Sequence, residues 1–177
     1  KACKSECPSN VDIARFKAEF LQQHYDVCGV PMKAFLIARL TEIQRLGTIL
    51  PWFYNAVVRN RVTGGILKRI LHFAPERAIP TLYKTTLKHW LGRYRWKNKG
   101  TTVGKVFLFA DEFTNYMDVE IGIKMIELLD RLGYEVIIPK HVESGRTAIS
   151  KGMLKVAKGV ARKNVLLLKS LVTENIP

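Results

Sequence analysis

Residues Lys105–Arg146, KVFLFADEFTNYMDVEIGIKMIELLDRLGYEVIIPKHVESGR, decide the fold. Val106–Ala110 is a short apolar run that ends at Asp111. Val119, Ile123, Ile126 and Leu129 then recur at helical spacing across Asp118–Leu132, which gives that helix one apolar face to lay on a sheet. Gly133 stops the helix, as a residue tolerant of a left-handed backbone does. Tyr134–Ile138 is a second β-branched strand, closed by Pro139. Strand, helix and strand at this spacing predict a βαβ unit with two parallel strands and a right-handed crossover. Ligands of such units gather beyond the carboxyl ends of the strands. Here those ends are Asp111–Asn115 and Lys140–Arg146. Asp111 and Asn115, with Arg146, are the candidate docking residues. Asp111 has a structural role open to it as well, bonding the backbone of the strand-to-helix loop.

The chain is 177 residues long, room for one domain or two small ones, and 47% of it is apolar. No apolar run approaches the roughly 20 residues of a membrane span. The chain starts at Lys1 and ends at Pro177, after an amphipathic helix with no strand to follow it. It therefore reads as a piece of a longer protein. Twenty-nine Lys and Arg against 15 Asp and Glu leave a net charge of +14. That balance raises nucleic acid or an anionic membrane as partners, but the cations interleave with apolar residues in the manner of a solvated surface. Three cysteines, Cys3, Cys7 and Cys28, form no disulfide framework and fit a reducing compartment.

Residues 11–100 read as helical. Asn10 is placed to cap a helix from Val11, with Ile13, Phe16, Phe20 and Leu21 as its buried stripe and Gly29–Pro31 as its end. Lys33–Leu46 is a second helix with Phe35, Leu36, Leu40 and Ile43 inward. Pro51 opens a third, to about Val62. Gly64-Gly65 reads as a turn, Ile66–His72 as a short helix, Ala74–Pro80 as a two-proline linker and Leu82–Leu91 as a last helix. Arg93-Tyr94-Arg95-Trp96-Lys97 alternates cations and aromatics. Such rings can stack on bases, but they more often lie on the protein. Beyond the βαβ stretch a long helix is expected from Ile149 towards Thr173, with Leu154, Ala157, Ala161, Val165 and Leu168 inward. His24 and Cys28 lack the further ligands of a zinc site. There is no dinucleotide or Walker glycine motif and no orderable Ser-His-Asp set.

At the amino end, Cys3-Lys4-Ser5-Glu6-Cys7-Pro8 has the spacing of the second half of an iron–sulfur C-x2-C-x2-C-x3-C-P run. Thiolates are soft anionic donors to iron, and the proline tightens the turn on which they converge. Two thiolates cannot complete a four-ligand cluster.

These residues, with Pro75-Glu76-Arg77, Pro80, Trp90, the Asp111-x-Phe113-Thr114-Asn115-Tyr116 segment, and Gly145-Arg146 before Ser150-Lys151-Gly152, resemble the carboxy-terminal region of FAD-linked oxidases of the glycolate oxidase and D-lactate dehydrogenase type. The resemblance implies three parts. Residues 1–12 would end a ferredoxin-like iron–sulfur module, residues 13–100 form a helical linker, and residues 101–177 form an incomplete Rossmann-like α/β domain of the cysteine-rich CCG type. It further implies a parent that oxidises a 2-hydroxy acid such as glycolate or D-lactate. FAD and a 4Fe–4S cluster would be held in the intact parent, with Cys3 and Cys7 among the cluster ligands, and neither in this piece alone, which would be inactive. Its partners would be the upstream flavin domain, the other ferredoxin half and an unidentified electron acceptor. Its place would be the cytoplasm, with peripheral contact to the inner membrane allowed and no nucleic acid expected. The departure from the family lies at Glu143 and Ser144, where the CCG motif carries paired cysteines. These hard donors would not replace thiolates at iron–sulfur, so this copy of the domain is expected to be metal-free. A basic helical nucleic-acid-binding module is the second reading, and a structural adaptor without redox role the third.

Overall fold

The computed structural model describes Pro8, residues 11–97 and residues 103–172. The described chain is mostly helical, with one small parallel sheet, and it divides by contact into two units. One comprises Lys1–Leu40 with Ser144–Arg162, the other Thr41–Glu143 with Lys163–Pro177. Among the described residues no helix is long and apolar enough to cross a membrane.

The first unit holds α1 (Ile13–Cys28), α2 (Met32–Ala38), α9 (Arg146–Ser150) and the start of α10 (Leu154–Leu168). Asp12 caps α1, its carboxylate accepting from the Arg15 backbone N–H at 3.0 Å, and Asn10 lies outside the described residues. The expected stripe of α1 is wrong in three of four positions: Ile13, Phe16 and Phe20 are 55%, 60% and 68% exposed. Its inner side is instead Ala18 with partly buried Leu21, Gln22 and Tyr25. Small residues explain the choice. Ala38, Ala148 and Ala157 form the core of this unit with Met153, and alanines let helices approach closely. Gly152 takes φ +73° where a side chain would run into Leu21.

Two helices of the first reading prove to be broken. Lys33–Leu46 divides at Arg39 into α2 and α3 (Leu40–Gly47), and Phe35 is 42% exposed while Ala34 and Ala38 are buried. The long final helix divides at Lys151-Gly152 into α9 and α10, because left-handed Gly152 cannot continue a helix. The buried positions around α10 are Met153, Ala157 and Val160, while Ala161 and Val165 face outward.

The second unit begins with α3, then α4 (Pro51–Arg59) and α5 (Arg61–Ile70). Gly64-Gly65 is not a turn but lies inside α5. Asn60 starts that helix earlier than apolar periodicity suggests, its side chain accepting from the N–H groups of Val62 and Thr63. Gly64 is required by proximity: a Cβ there would stand 2.6 Å from the Val58 carbonyl oxygen. The last helix of this half, α6 (Leu87–Arg93), starts five residues later than expected because Thr86 caps it, accepting from His89 N–H. The preceding Leu82 is instead tied by both its backbone groups to the Asn55 amide.

β1 (Gly104–Phe107) and β2 (Tyr134–Ile137) pair in parallel, with Gly104 opposite Tyr134 and Phe107 opposite Ile137. β1 is offset from the expected Val106–Ala110, because only its first residues find partners on β2. Between the strands come α7 (Glu112–Tyr116), which the sequence reading left as loop, and α8 (Val119–Arg131). Val119 and Ile126 of α8 are fully buried, with Ile123 and Leu129 packed at the edge of the same cluster. Leu87, Ala110 and Val136 complete its centre. The aromatics of the cation-rich segment belong here too: Tyr94 and Trp96 pack on the cluster with Trp90, neighbouring ring centroids lying 4.7 and 5.2 Å apart. Buried Asp130 holds them, accepting from the Tyr94 hydroxyl at 2.7 Å and the Lys97 backbone N–H at 3.0 Å. Burial first, then this carboxylate, pushes the Tyr94 phenol up to about 12.

Candidate functional site

Beyond the carboxyl ends of β1 and β2, the second unit forms a cleft of about 230 Å³. That is below the ~300–1,000 Å³ of pockets for drug-sized ligands, so it admits only small molecules. Three segments build it. The β1 end supplies Asp111, Glu112 and Asn115, the β2 end supplies His141 and Glu143, and helices α3 and α6 supply Thr41, Arg45 and Lys88.

Asp111 caps α7: one carboxylate oxygen accepts from the Thr114 backbone N–H at 2.8 Å. Asn115 is buried, and its side-chain oxygen accepts from the Lys88 backbone N–H at 3.1 Å, which ties α7 to α6. The loop after β2 is held by Asn164 of α10. Its amide oxygen accepts from Val142 N–H, and its amide nitrogen donates to the Glu143 carbonyl. With both ends of the amide engaged, the loop that carries His141 has a fixed path.

His141 stacks on Phe109, ring centroids 4.2 Å apart. Its Nδ1 lies 2.7 Å from the Val142 carbonyl oxygen. A carbonyl only accepts, so Nδ1 carries the proton and Nε2 presents a lone pair. Burial, and secondarily the nearby Lys88 ammonium, holds this imidazole below its ordinary value and keeps it neutral at pH 7. Burial also lowers Lys88. Two buried polar atoms of the lining residues have no hydrogen-bond partner among the described residues, His141 Nε2 and the Thr41 hydroxyl. One helical turn from Thr41, the wholly buried Gln44 leaves both ends of its amide unpaired.

Of the candidate residues read from the sequence, Asp111 and Asn115 come together at this cleft. Arg146 belongs to the other unit, where its backbone N–H donates to the Ser144 hydroxyl. Cys3 and Cys7 lie outside the described residues. Among the described residues no three His, Cys, Asp or Glu side chains converge as metal ligands. Sequence reasoning missed His141, Lys88 and Thr41. His141 falls in the β2 edge already marked as ligand-facing, but Lys88 and Thr41 come from helices whose approach to that edge no local pattern announces.

The strand–helix–strand unit thus places a polar cleft at the carboxyl edge of a small two-stranded parallel sheet in a mostly helical chain. Along its whole length the chain is similar to D-2-hydroxyglutarate dehydrogenases: 21% identical to that of Escherichia coli (strain K12), 24% to that of Haemophilus influenzae and 23% to that of Pseudomonas putida. The chain spans about 18% of the length of these relatives. No family model matches it. No solved structure matches it either.

Proposed function

We propose that this chain is one part of a larger FAD-linked 2-hydroxy-acid oxidoreductase and serves its electron-transfer or docking side. The carrying observation is similarity over the entire chain to dehydrogenases whose name states a 2-hydroxy acid as substrate. The family-like Asp111–Tyr116 segment forms one wall of the cleft, which agrees with that reading. D-2-Hydroxyglutarate is the first substrate to test, ahead of glycolate and D-lactate. The parent would oxidise it at a flavin held elsewhere in the polypeptide. Electrons would leave through a 4Fe–4S centre completed by Cys3, Cys7 and upstream thiolates, to an acceptor in the cytoplasm. The two-stranded sheet would be part of a Rossmann-like domain, and the first twelve residues the end of a ferredoxin-like module. The Glu143 backbone carbonyl and the Ser144 hydroxyl each accept one of the bonds described above.

The rings of Tyr94 and Trp96, which a nucleic-acid reading would stack on bases, pack against the protein core.

Iron content tests the proposal. After anaerobic reconstitution, the chain as given should carry no stoichiometric iron–sulfur chromophore, since two thiolates do not hold a four-ligand cluster. The chain extended upstream should carry one, and lose it in Cys3→Ser or Cys7→Ser. An extended chain that takes up no iron would overturn the cluster assignment.

A further inference from the structure

The second unit carries a groove that its own packing leaves uncovered. The groove follows α5 and the turn after it, with a volume of about 1050 Å³. Arg59, Arg61, Lys68 and Arg69 line it, and among the described residues no Asp or Glu does. Lys68 is engaged, its ammonium donating to the Pro75 carbonyl at 2.8 Å. Arg59, Arg61 and Arg69 are exposed, and their guanidiniums have no ion pair or hydrogen bond among the described residues. Arg61, Gly65 and Arg69 follow one another at four-residue spacing in α5, so they stand in one row on its surface. Gly65 is the gap in that row. Glycine is a poor residue for a helix interior, and the described chain gives no reason for this one: a Cβ there would meet no atom within 4 Å. Val62 and Ile66, also lining the groove, are 68% and 56% exposed. Arginines without counter-ions, a notch between two of them and bare aliphatic side chains alongside make a surface fitted to be covered.

We infer that an acidic segment of the same, longer polypeptide, from outside residues 1–177, packs along α5. Charge and size select the occupant. Guanidinium groups take carboxylates through paired, planar hydrogen bonds. The volume is above the ~300–1,000 Å³ of pockets for small ligands, which suits a stretch of chain. Arg61 and Arg69 are about 12 Å apart along the helix axis, at 1.5 Å per residue. Two carboxylates of the segment meet them, and an apolar side chain between the two seats at Gly65 against Val62 and Ile66. The source follows from length. The chain is matched end to end by relatives of which it spans about 18%. A polypeptide of that length supplies the segment at high effective concentration, without the cost of recruiting a second molecule. The inference rests on the proposed function only in taking the chain as part of a larger protein.

Hydrogen exchange of the complete polypeptide reads the contact. The α5 amides should exchange on the order of tenfold more slowly in the wild type than in Gly65→Leu or in the double variant Arg61→Glu/Arg69→Glu, because a covered element opens less often. All three positions are exposed, and the α8 amides, in the core, should exchange alike in every protein. Arg61→Lys and Arg69→Lys keep the charge and add an amine. Each should form a zero-length carbodiimide cross-link, absent from the wild type, to an Asp or Glu outside residues 1–177 of its own copy. That cross-link locates the segment even if the charge-reversed variant does not fold. Equal α5 exchange in all the proteins, cross-links confined to residues 1–177 or to a second copy, or slow α5 exchange only after vesicles of anionic lipid are added would overturn the inference. A flavin enzyme with α5 open would end this inference and keep the proposed function. A polypeptide without flavin that forms the cross-link would do the reverse.

Discussion

Asp130→Ala lowers the unfolding free energy by about 2–5 kcal/mol, measured by urea denaturation. Asp130 is 2% exposed, on the inner face of α8, and its carboxylate accepts from the Tyr94 hydroxyl and the Lys97 backbone N–H. Removing it takes the acceptor from two part-buried hydrogen bonds, and a hydrogen bond to a charged group is worth about 1.5–3 kcal/mol. Asp130→Asn keeps an acceptor of the same shape and loses the charge, so it should cost about half as much, hydrogen bonds to charged groups being about twice as strong as neutral ones. Tyr94→Phe removes one of the two bonds with little change of packing. Its effect should overlap with that of Asp130→Ala, so the double variant is less destabilised than the sum, as residues sharing a bond behave. Strict additivity would show that the carboxylate does not hold the ring. The same contact explains why the aromatic segment before β1 faces inward despite its three cations.

Gly152→Ala is the second large effect, about 2–4 kcal/mol. Two costs combine. An L-residue at φ +73° bears roughly 1–2 kcal/mol of left-handed strain. The new Cβ also runs into Leu21 of α1 and sits 3.3 Å from the Ala18 carbonyl oxygen, and overpacking of this kind costs about 1–3 kcal/mol. Gly145→Ala is the control. It has the same φ of +73°, but its Cβ would meet Val160 at an ordinary 3.4 Å. It should show the strain alone, at roughly 1–2 kcal/mol. Equal effects at the two glycines would remove the packing argument and leave conformation as the whole cause.

The centre of the βαβ stretch was legible because its signals are local. A β-branched run, a helical stripe and a terminating glycine fix β2, α8 and the parallel pairing without help from the rest of the chain. The helical half was legible only as helix. Its faces were misassigned in α1 and α2 because the apolar periodicity pointed to large side chains, whereas the described core of the first unit is built mainly on alanine. Phe16 and Phe20 are conspicuous in the sequence and exposed in the structure, while Ala18 between them is buried. Helix starts shifted wherever a polar side chain bonded the first turn, at Asp12, Asn60, Thr86 and Asp111. The edge of the sheet that carries the cleft followed from topology, and Asp111 and Asn115 with it. The far wall did not. Thr41 and His141 are 100 positions apart in the sequence, and their juxtaposition depends on the packing of α3, which apolar spacing does not encode. The resemblance drawn from short motifs agrees in class with the dehydrogenases found by comparison, and the substrate in their name is a different 2-hydroxy acid from the two first expected.

The central claim, membership of a flavin-linked 2-hydroxy-acid oxidoreductase, is tested most directly by mixing the complete polypeptide with D-2-hydroxyglutarate anaerobically while recording its visible spectrum. The account predicts an oxidised flavin spectrum at rest, bleached by substrate, with iron–sulfur absorbance falling after it as electrons pass on. A complete polypeptide that carries no flavin, or whose flavin D-2-hydroxyglutarate, glycolate and D-lactate all leave oxidised, would contradict it.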